Sequence, residues 1–358
     1  MNVSILGAGG VAFGTAAFLQ QAGHTPTLWS PSGKGTAPFL AGEPLVAEGA
    51  IQLEFSPRIA SDCAQAVSDA DVVMICLPGF CHKATMDAMA PHIRNGQPVI
   101  ISSHSSFGAL YLSKLLAVRG IRAPIIVWGT TLTTGPKNAN KVKVGTVRKK
   151  IDVAAVPESE TAAAVALCTK LFGDRFVERD GLLAIALSNL NPQNHLAIAL
   201  MNLTRMERGE VWGQGENVTP AVGRLIEALD LERIAIAQAL GLKVRTVQEH
   251  FSLSFHVPQA SVSEMNQEMH RNGNGGFGPR TAESRYILED VPFGLEATAQ
   301  LGRLVGVPAP LHEAGVALFS GAYGRDFTKE NDLLPAIAME SLSLEQLKAL
   351  CRNGAALA

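Results

Sequence analysis

Ser188, Asn191, His195 and Asn202 recur at three-, four- and seven-residue steps inside an otherwise apolar stretch, and on a helix such steps share one face. A histidine titrates near neutral pH and can give or take a proton. A buried histidine that merely satisfies its hydrogen bonds is the other reading, and the stripe alone leaves both open. Asn191-Pro192 either starts a helix, with proline in its first turn, or kinks a longer one. A second dense cluster follows Gly278-Pro279-Arg280-Thr281, where Ser284 to Leu295 contains Arg285, Tyr286, Glu289 and Asp290. An arginine fork can grip a carboxylate, and an acid can orient a histidine; a capped helix start with surface ion pairs is the alternative. His82, Lys83 and His104 have no metal-ligand spacing, and no metal is expected.

The third constellation is a glycine turn. Val3 to Leu6 is an apolar run ending in Gly7-Ala8-Gly9-Gly10-Val11-Ala12, followed by Phe13 to Leu19 at helical spacing and by Thr25 to Ser30. The turn reads G-x-G-x-x-A: Gly7 for the bend, Gly9 for backbone approach to a pyrophosphate, Ala12 for close helix–strand packing. Amides at the helix N-terminus then face the phosphates. About twenty residues on, where NAD-preferring enzymes usually carry an acid, this chain has Ser30, with Ser32 and Lys34 beyond it. Two hydroxyls and a lysine accept a 2′-phosphate that a carboxylate would repel, so NADP is expected in preference, with NAD as the other option.

The elements around these groups read as an α/β half and a helical half. Val72 to Leu77 before Pro78, Val99 to Ser103, and Ile125 to Thr131 are buried-strand patterns whose C-terminal ends should border the cofactor, together with the loops Ser103 to Gly108 and Thr130 to Gly135. Lys137 to Lys150 reads as a pair of solvated strands, and Ile151 to Val156 as the strand that closes the sheet. Strand signals fade around Arg175 to Gly181, which divides the chain at 178/179. Helical patterns cover Leu182 to Arg208, Pro220 to Leu240, Val244 to His250, Ser261 to His270, Gly294 to Leu304, Pro310 to Phe319 and Leu344 to Cys351. Asn272 to Pro279 is a glycine-rich break, read as a long turn rather than a mobile lid.

Composition narrows the classes. With 358 residues, 47% hydrophobic and 17% charged, the chain is long enough for two buried cores. A net charge of -2 offers no basic field for nucleic acid. Five cysteines without C-x-x-C spacing fit a disulfide-free, cytoplasmic protein. No secretory signal and no membrane span is expected.

Taken together, these pieces resemble the octopine and nopaline dehydrogenase family of NAD(P)-dependent opine dehydrogenases. The resemblance is carried by Gly7-Ala8-Gly9, Pro78 with His82, Asn191 to Asn202 around His195, Thr219 to Gly223, Asp230 with Glu232 to Ala237, Arg285-Tyr286 with Glu289-Asp290, Gly294-Leu295, and Val307 to Leu311. It implies a Rossmann doubly wound parallel sheet over 1–178 and an all-helical substrate domain over 179–358. It also implies reductive condensation of a 2-oxo acid, such as pyruvate, with an amino acid's amine. His195 would be the catalytic histidine, Asp290 its carboxylate partner, and Arg285, Asn191 and Asn202 substrate contacts. Gly7, Gly9, Gly10, Ala12, Ser30, Ser32, Lys34, Pro78 and His82 would hold the cofactor; the sequence leaves the oligomeric state open, with a homodimer among the options. A ketopantoate-reductase-like 2-oxo acid reductase and a non-catalytic dinucleotide sensor are the competing readings; the former would be expected to use a lysine where this chain has His195.

Overall fold

The computed structural model describes residues 1–357. It forms two compact units, Met1–Ala186 joined by the chain from Glu345 onward, and Leu187–Leu344.

In the first unit the apolar runs become β1 (Asn2–Leu6), β2 (Thr25–Trp29), β3 (Arg58–Ile59), β4 (Val72–Ile75), β5 (Val99–Ile101), β6 (Ile125–Trp128), β7 (Ile151–Val156) and β8 (Phe176–Glu178). They make one sheet in the order β8-β7-β6-β5-β4-β1-β2-β3. In register, Ile5 lies opposite Leu28 on one side and Met74 on the other. Every residue of β4, β5, β6 and β7 is buried, as befits strands covered on both faces. Chain order reverses between β1 and β4, so the strand ends there form the crevice in which such sheets take ligands.

Two details of the sheet differ from the sequence expectation. The β6–β7 pair is antiparallel, because the chain between them contains short strands and no crossover helix, which a parallel return would need. β7 is also not the edge: β8 pairs outside it. A further sheet takes Lys141–Val144 parallel to Leu45–Gly49, with Lys137–Asn138 and Leu53–Phe55 on its flanks. Lys141 and Lys143 are exposed while Val142 and Val144 join the core beside Phe13 and Phe39. The strands expected in this basic stretch are therefore present, with a buried face.

The first compact unit extends past 178/179, to Ala186. The Gly181–Ala186 helix packs on β7, so the first unit runs eight residues further. The last helix, Leu344–Asn353, buries Leu347 and Cys351, and Ala355 N–H donates to Ser113 Oγ at 2.8 Å, which ties this segment to the first unit.

The second unit is helical. Its core gathers Leu196, Ile198, Met206, Ile226, Leu229, Met265, Ile287, Val291, Leu295 and Phe319. The expected Leu182 to Arg208 helix is two helices, Gly181–Ala186 and Asn191–Glu207, parted at Leu187 to Leu190. The helix expected from Gly294 begins instead as a π-helical turn, Val291–Leu295, continued by Glu296–Val305.

Candidate active site

Gly7 adopts φ +146, and a Cβ there would lie 2.3 Å from the Cys76 carbonyl oxygen at the end of β4. Its N–H donates to the Trp29 carbonyl at 2.7 Å. The turn is thus pinned across the switch point. Gly9 caps the Gly10–Gln21 helix, and no atom lies within 4 Å of where its Cβ would stand. That open space above a helix N-terminus, with its unsatisfied amides, fits a dinucleotide pyrophosphate. Gly10 has a different constraint: a Cβ there would meet the Gly135 carbonyl at 2.1 Å, and at Gly14 it would meet Thr133 Oγ1 at 2.5 Å. Both let the Thr133 to Gly135 backbone lie against the helix. Ala12 is fully buried in the core.

Ser30 is half-buried and Ser32 and Lys34 are exposed, in a turn closed by Gly33 N–H donating to Ser30 O at 3.0 Å. A Cβ on Gly35 would stand 2.5 Å from Ala8 Cβ. The segment therefore leans on the glycine turn, and no carboxylate occurs from Ser30 to Thr36.

Pro78 precedes a short 3-10 turn, Gly79–Cys81. His82 was expected on the cofactor, but its side chain is fully buried, with Nε2 2.9 Å from the Leu77 carbonyl. It braces the loop from beneath. Burial pushes its pKa down to about 4, against a smaller upward pull from that carbonyl. His104 is pushed down to about 3, by burial first and by His82 second. Unfolding restores both to about 6.5. Between about pH 4 and 6.5 the unfolded chain therefore binds protons that the folded chain refuses, so stability rises with pH through that window and is lost on acidification. Each histidine contributes a slope of roughly 1 kcal/mol per pH unit. Urea midpoints measured from pH 7 to 4.5 should fall less steeply in H82N than in the parent; identical slopes would contradict the assignment.

In the helical unit, the Asn189 side chain accepts from Asn191 N–H at 3.1 Å, and Pro192 sits in the first turn of Asn191–Glu207. Asn191-Pro192 thus starts a helix. Behind this turn, Gln193 Nε2 lies 3.0 Å from His312 Nε2, and His312 Nδ1 lies 2.7 Å from Glu232 Oε2. Asn191 lies one turn before His195 on the same face, and its side chain makes no hydrogen bond among the described residues. The rest of the proposed polar stripe does not hold. Ser188 precedes the helix, and Asn202 sits at a kink, φ -128 and ψ 16, with its Nδ2 donating to Ile198 O at 2.9 Å. That amide nitrogen serves the helix's own irregular carbonyl.

His195 Nδ1 and Asp290 Oδ2 are 2.6 Å apart, with the two side chains 12% and 7% exposed. The carboxylate accepts the Nδ1 proton, which leaves Nε2 as the nitrogen that can exchange one with a substrate. Asp290 is followed directly by the π-helical turn, where a Cβ on Gly294 would stand 2.3 Å from Pro192 Cγ. Gly294 therefore sets how closely the two segments bearing His195 and Asp290 approach. Thr298 Oγ1 donates to the Gly294 carbonyl and Asn331 Nδ2 to the Pro292 carbonyl, both at 2.9 Å, which satisfies the irregular turn. Arg285 Nε is 3.3 Å from Glu289 Oε2, and its side chain is 55% exposed, so much of its fork faces outward. Tyr286 stacks on His195 and donates to Gln214 Oε1.

The structure thus brings His195, Asp290, Arg285 and Asn191 into one unit and assembles the glycine turn with Ser30, Ser32 and Lys34 in the other. Gln214 and Asn194, whose Oδ1 is buried without a partner, had no signal in the sequence: neither type nor spacing separates them from ordinary helix or loop amides.

Residues 178–323 match the family described as NAD/NADP octopine/nopaline dehydrogenase, alpha-helical domain, and residues 3–105 match ketopantoate reductase PanE/ApbA. The chain is 31% identical to an opine dehydrogenase of Arthrobacter sp. (strain 1C) over 355 residues, covering 96% of each chain. The fold is similar to that of an octopine dehydrogenase solved with NADH and L-arginine, with TM-score 0.79, 16% identity and 98% coverage of each chain. It is also similar to a yersinopine dehydrogenase solved with NADP+, at TM-score 0.72, 16% identity, 98% of this chain and 99% of that one.

Proposed function

The chain belongs to the opine dehydrogenase family, and from that premise we propose that it joins a 2-oxo acid to the amino group of an amino acid, reducing the condensation product to a secondary amine, and runs the reverse oxidation. Bound NAD(P)H supplies the hydride. The balance is oxo acid, amine, NAD(P)H and one proton giving secondary amine, water and NAD(P)+. His195 delivers that proton from Nε2 and recovers it in the oxidative direction, while Asp290 fixes the tautomer and stabilises the imidazolium. The observation that carries this reading is the 2.6 Å Asp290–His195 contact in a mostly buried setting. Arg285 supplies a guanidinium fork for a substrate carboxylate, with Asn191 as a second polar contact.

NADP is the preferred cofactor in this reading, because Ser30, Ser32 and Lys34 lie beside the glycine turn without an acid among them. Replacing Ser30 with aspartate places a carboxylate at the 2′-position. The ratio of kcat/KM for NADPH to that for NADH should fall by roughly tenfold or more; an unchanged ratio would mean that the 2′-phosphate is read elsewhere.

The function is tested by incubating the enzyme with pyruvate, a panel of amino acids and both reduced cofactors, and weighing the product. The expected species has the summed mass of acid and amine less water plus two hydrogens. A 2-hydroxy acid as the sole product would favour a plain oxo acid reductase.

A further inference from the structure

Asp290 holds His195 at one edge of the imidazole. A single edge contact leaves the ring able to swing about that bond. What stops it is Tyr286: the two rings stack with centroids 3.5 Å apart and planes 9° from parallel. Face-to-face stacking is not what two aromatic rings adopt by preference, since offset and edge-on arrangements suit their quadrupoles better. The pose must therefore be imposed from outside the pair.

The restraint is visible at both ends of the tyrosine. Ser284 Oγ accepts from Tyr286 N–H at 3.3 Å, which fixes the backbone. The phenol donates to Gln214 Oε1 at 2.5 Å, and burial pushes its pKa up to about 12, so the donor proton stays in place. Gln214 is itself fastened by the glycine-rich segment. Its N–H donates to the Gly276 carbonyl, Gly215 N–H to Gly275 O and Gly278 N–H to Trp212 O, all at 3.0 Å. Trp212 Nε1 donates to the Pro279 carbonyl at 2.9 Å. A Cβ on Gly278 would stand 2.1 Å from the Trp212 ring, so this zipper closes only with glycine there.

We propose that Tyr286, anchored through Gln214 to the Asn272 to Pro279 segment, is a positioning residue that fixes the plane of the His195 imidazole so that Nε2 is held toward the substrate. It touches no reacting atom itself. The role rests on the reading of His195 as the proton-handling group. It also gives the glycine-rich segment a function as a clamp, separate from any motion.

The test uses the full-length enzyme and the variants Y286L and Y286F. Leucine removes the flat ring, whereas phenylalanine loses only the hydroxyl. Y286L should lower kcat by about tenfold or more, as expected when a catalytic group loses its alignment, with KM for oxo acid and amine and Kd for NADPH within about threefold. Y286F, which keeps a flat ring but loses the hydrogen bond to Gln214, should fall between Y286L and the parent. A Y286L enzyme within twofold of the parent, or a Y286F enzyme indistinguishable from the parent, overturns the proposal. If Y286L does not fold, NMR of the 13C-histidine-labelled parent decides, with the signal assigned by its absence in H195N. The His195 Cε1 proton should be shifted upfield by the stacked ring, and less so in Y286F; an unshifted resonance in the parent refutes the stack. Failure of the His195 reading looks different, since His195→Ala would then leave turnover intact.

Discussion

His195→Ala should lower turnover by roughly 10²- to 10⁴-fold, the range in which a positioned general acid–base contributes, while cofactor affinity stays nearly unchanged. The reasoning is local. The imidazole is the group whose Nδ1 is engaged by a carboxylate, which leaves Nε2 for the substrate. The variant removes the proton carrier without touching the glycine turn, which belongs to the other compact unit. Tryptophan or NADPH fluorescence titration separates binding from turnover. A variant with parental kcat and KM would remove His195 from the chemistry.

Asp290→Asn should be nearly as damaging, by about 10²- to 10⁴-fold, for a different reason. In serine-protease triads the same replacement leaves the geometry intact and costs about 10⁴ in kcat by fixing the wrong histidine tautomer. An asparagine amide can donate to His195 Nδ1, which would put the ring proton on Nε2 and leave no carboxylate to stabilise the charged ring. Asp290 is only 7% exposed, so water cannot readily take its place. The variant should fold, because the asparagine carboxamide fills the same volume as the carboxylate. Loss of activity with an unchanged melting temperature is the expected result; equal activity would assign Asp290 a structural role alone.

The glycine turn was readable in the sequence because glycine is itself the device there: no other residue tolerates the Gly7 backbone beside the Cys76 carbonyl. His195 and Asp290 stand 95 residues apart, and neither periodicity nor composition pairs them; the resemblance joined them. At two of the expected positions the side chain is engaged inside the fold. Asn202 has the right spacing for the functional stripe, yet it sits at a helix kink and bonds the carbonyl freed one turn back. His82 lies next to a loop at a strand end, where a ligand contact is the natural expectation, yet it is turned inward and kept neutral by burial.

Other features depend on contacts that no single-chain pattern encodes. Gly294 reads as an ordinary helix start, and its need to be glycine arises only from Pro192, about a hundred residues earlier in the chain. The last helix is amphipathic and was expected among the helices of the second half, but its apolar face is matched by the first unit. Gly10 was grouped with the phosphate-binding glycines, whereas the Gly135 carbonyl alone is enough to require it.

The most direct test follows NADPH and NADH oxidation by the purified enzyme at neutral pH, with pyruvate alone and then with each common amino acid added. Opine formation predicts little oxidation by pyruvate alone and a saturable acceleration by one or a few amino acids. A rate that is the same with and without every amine would contradict the account.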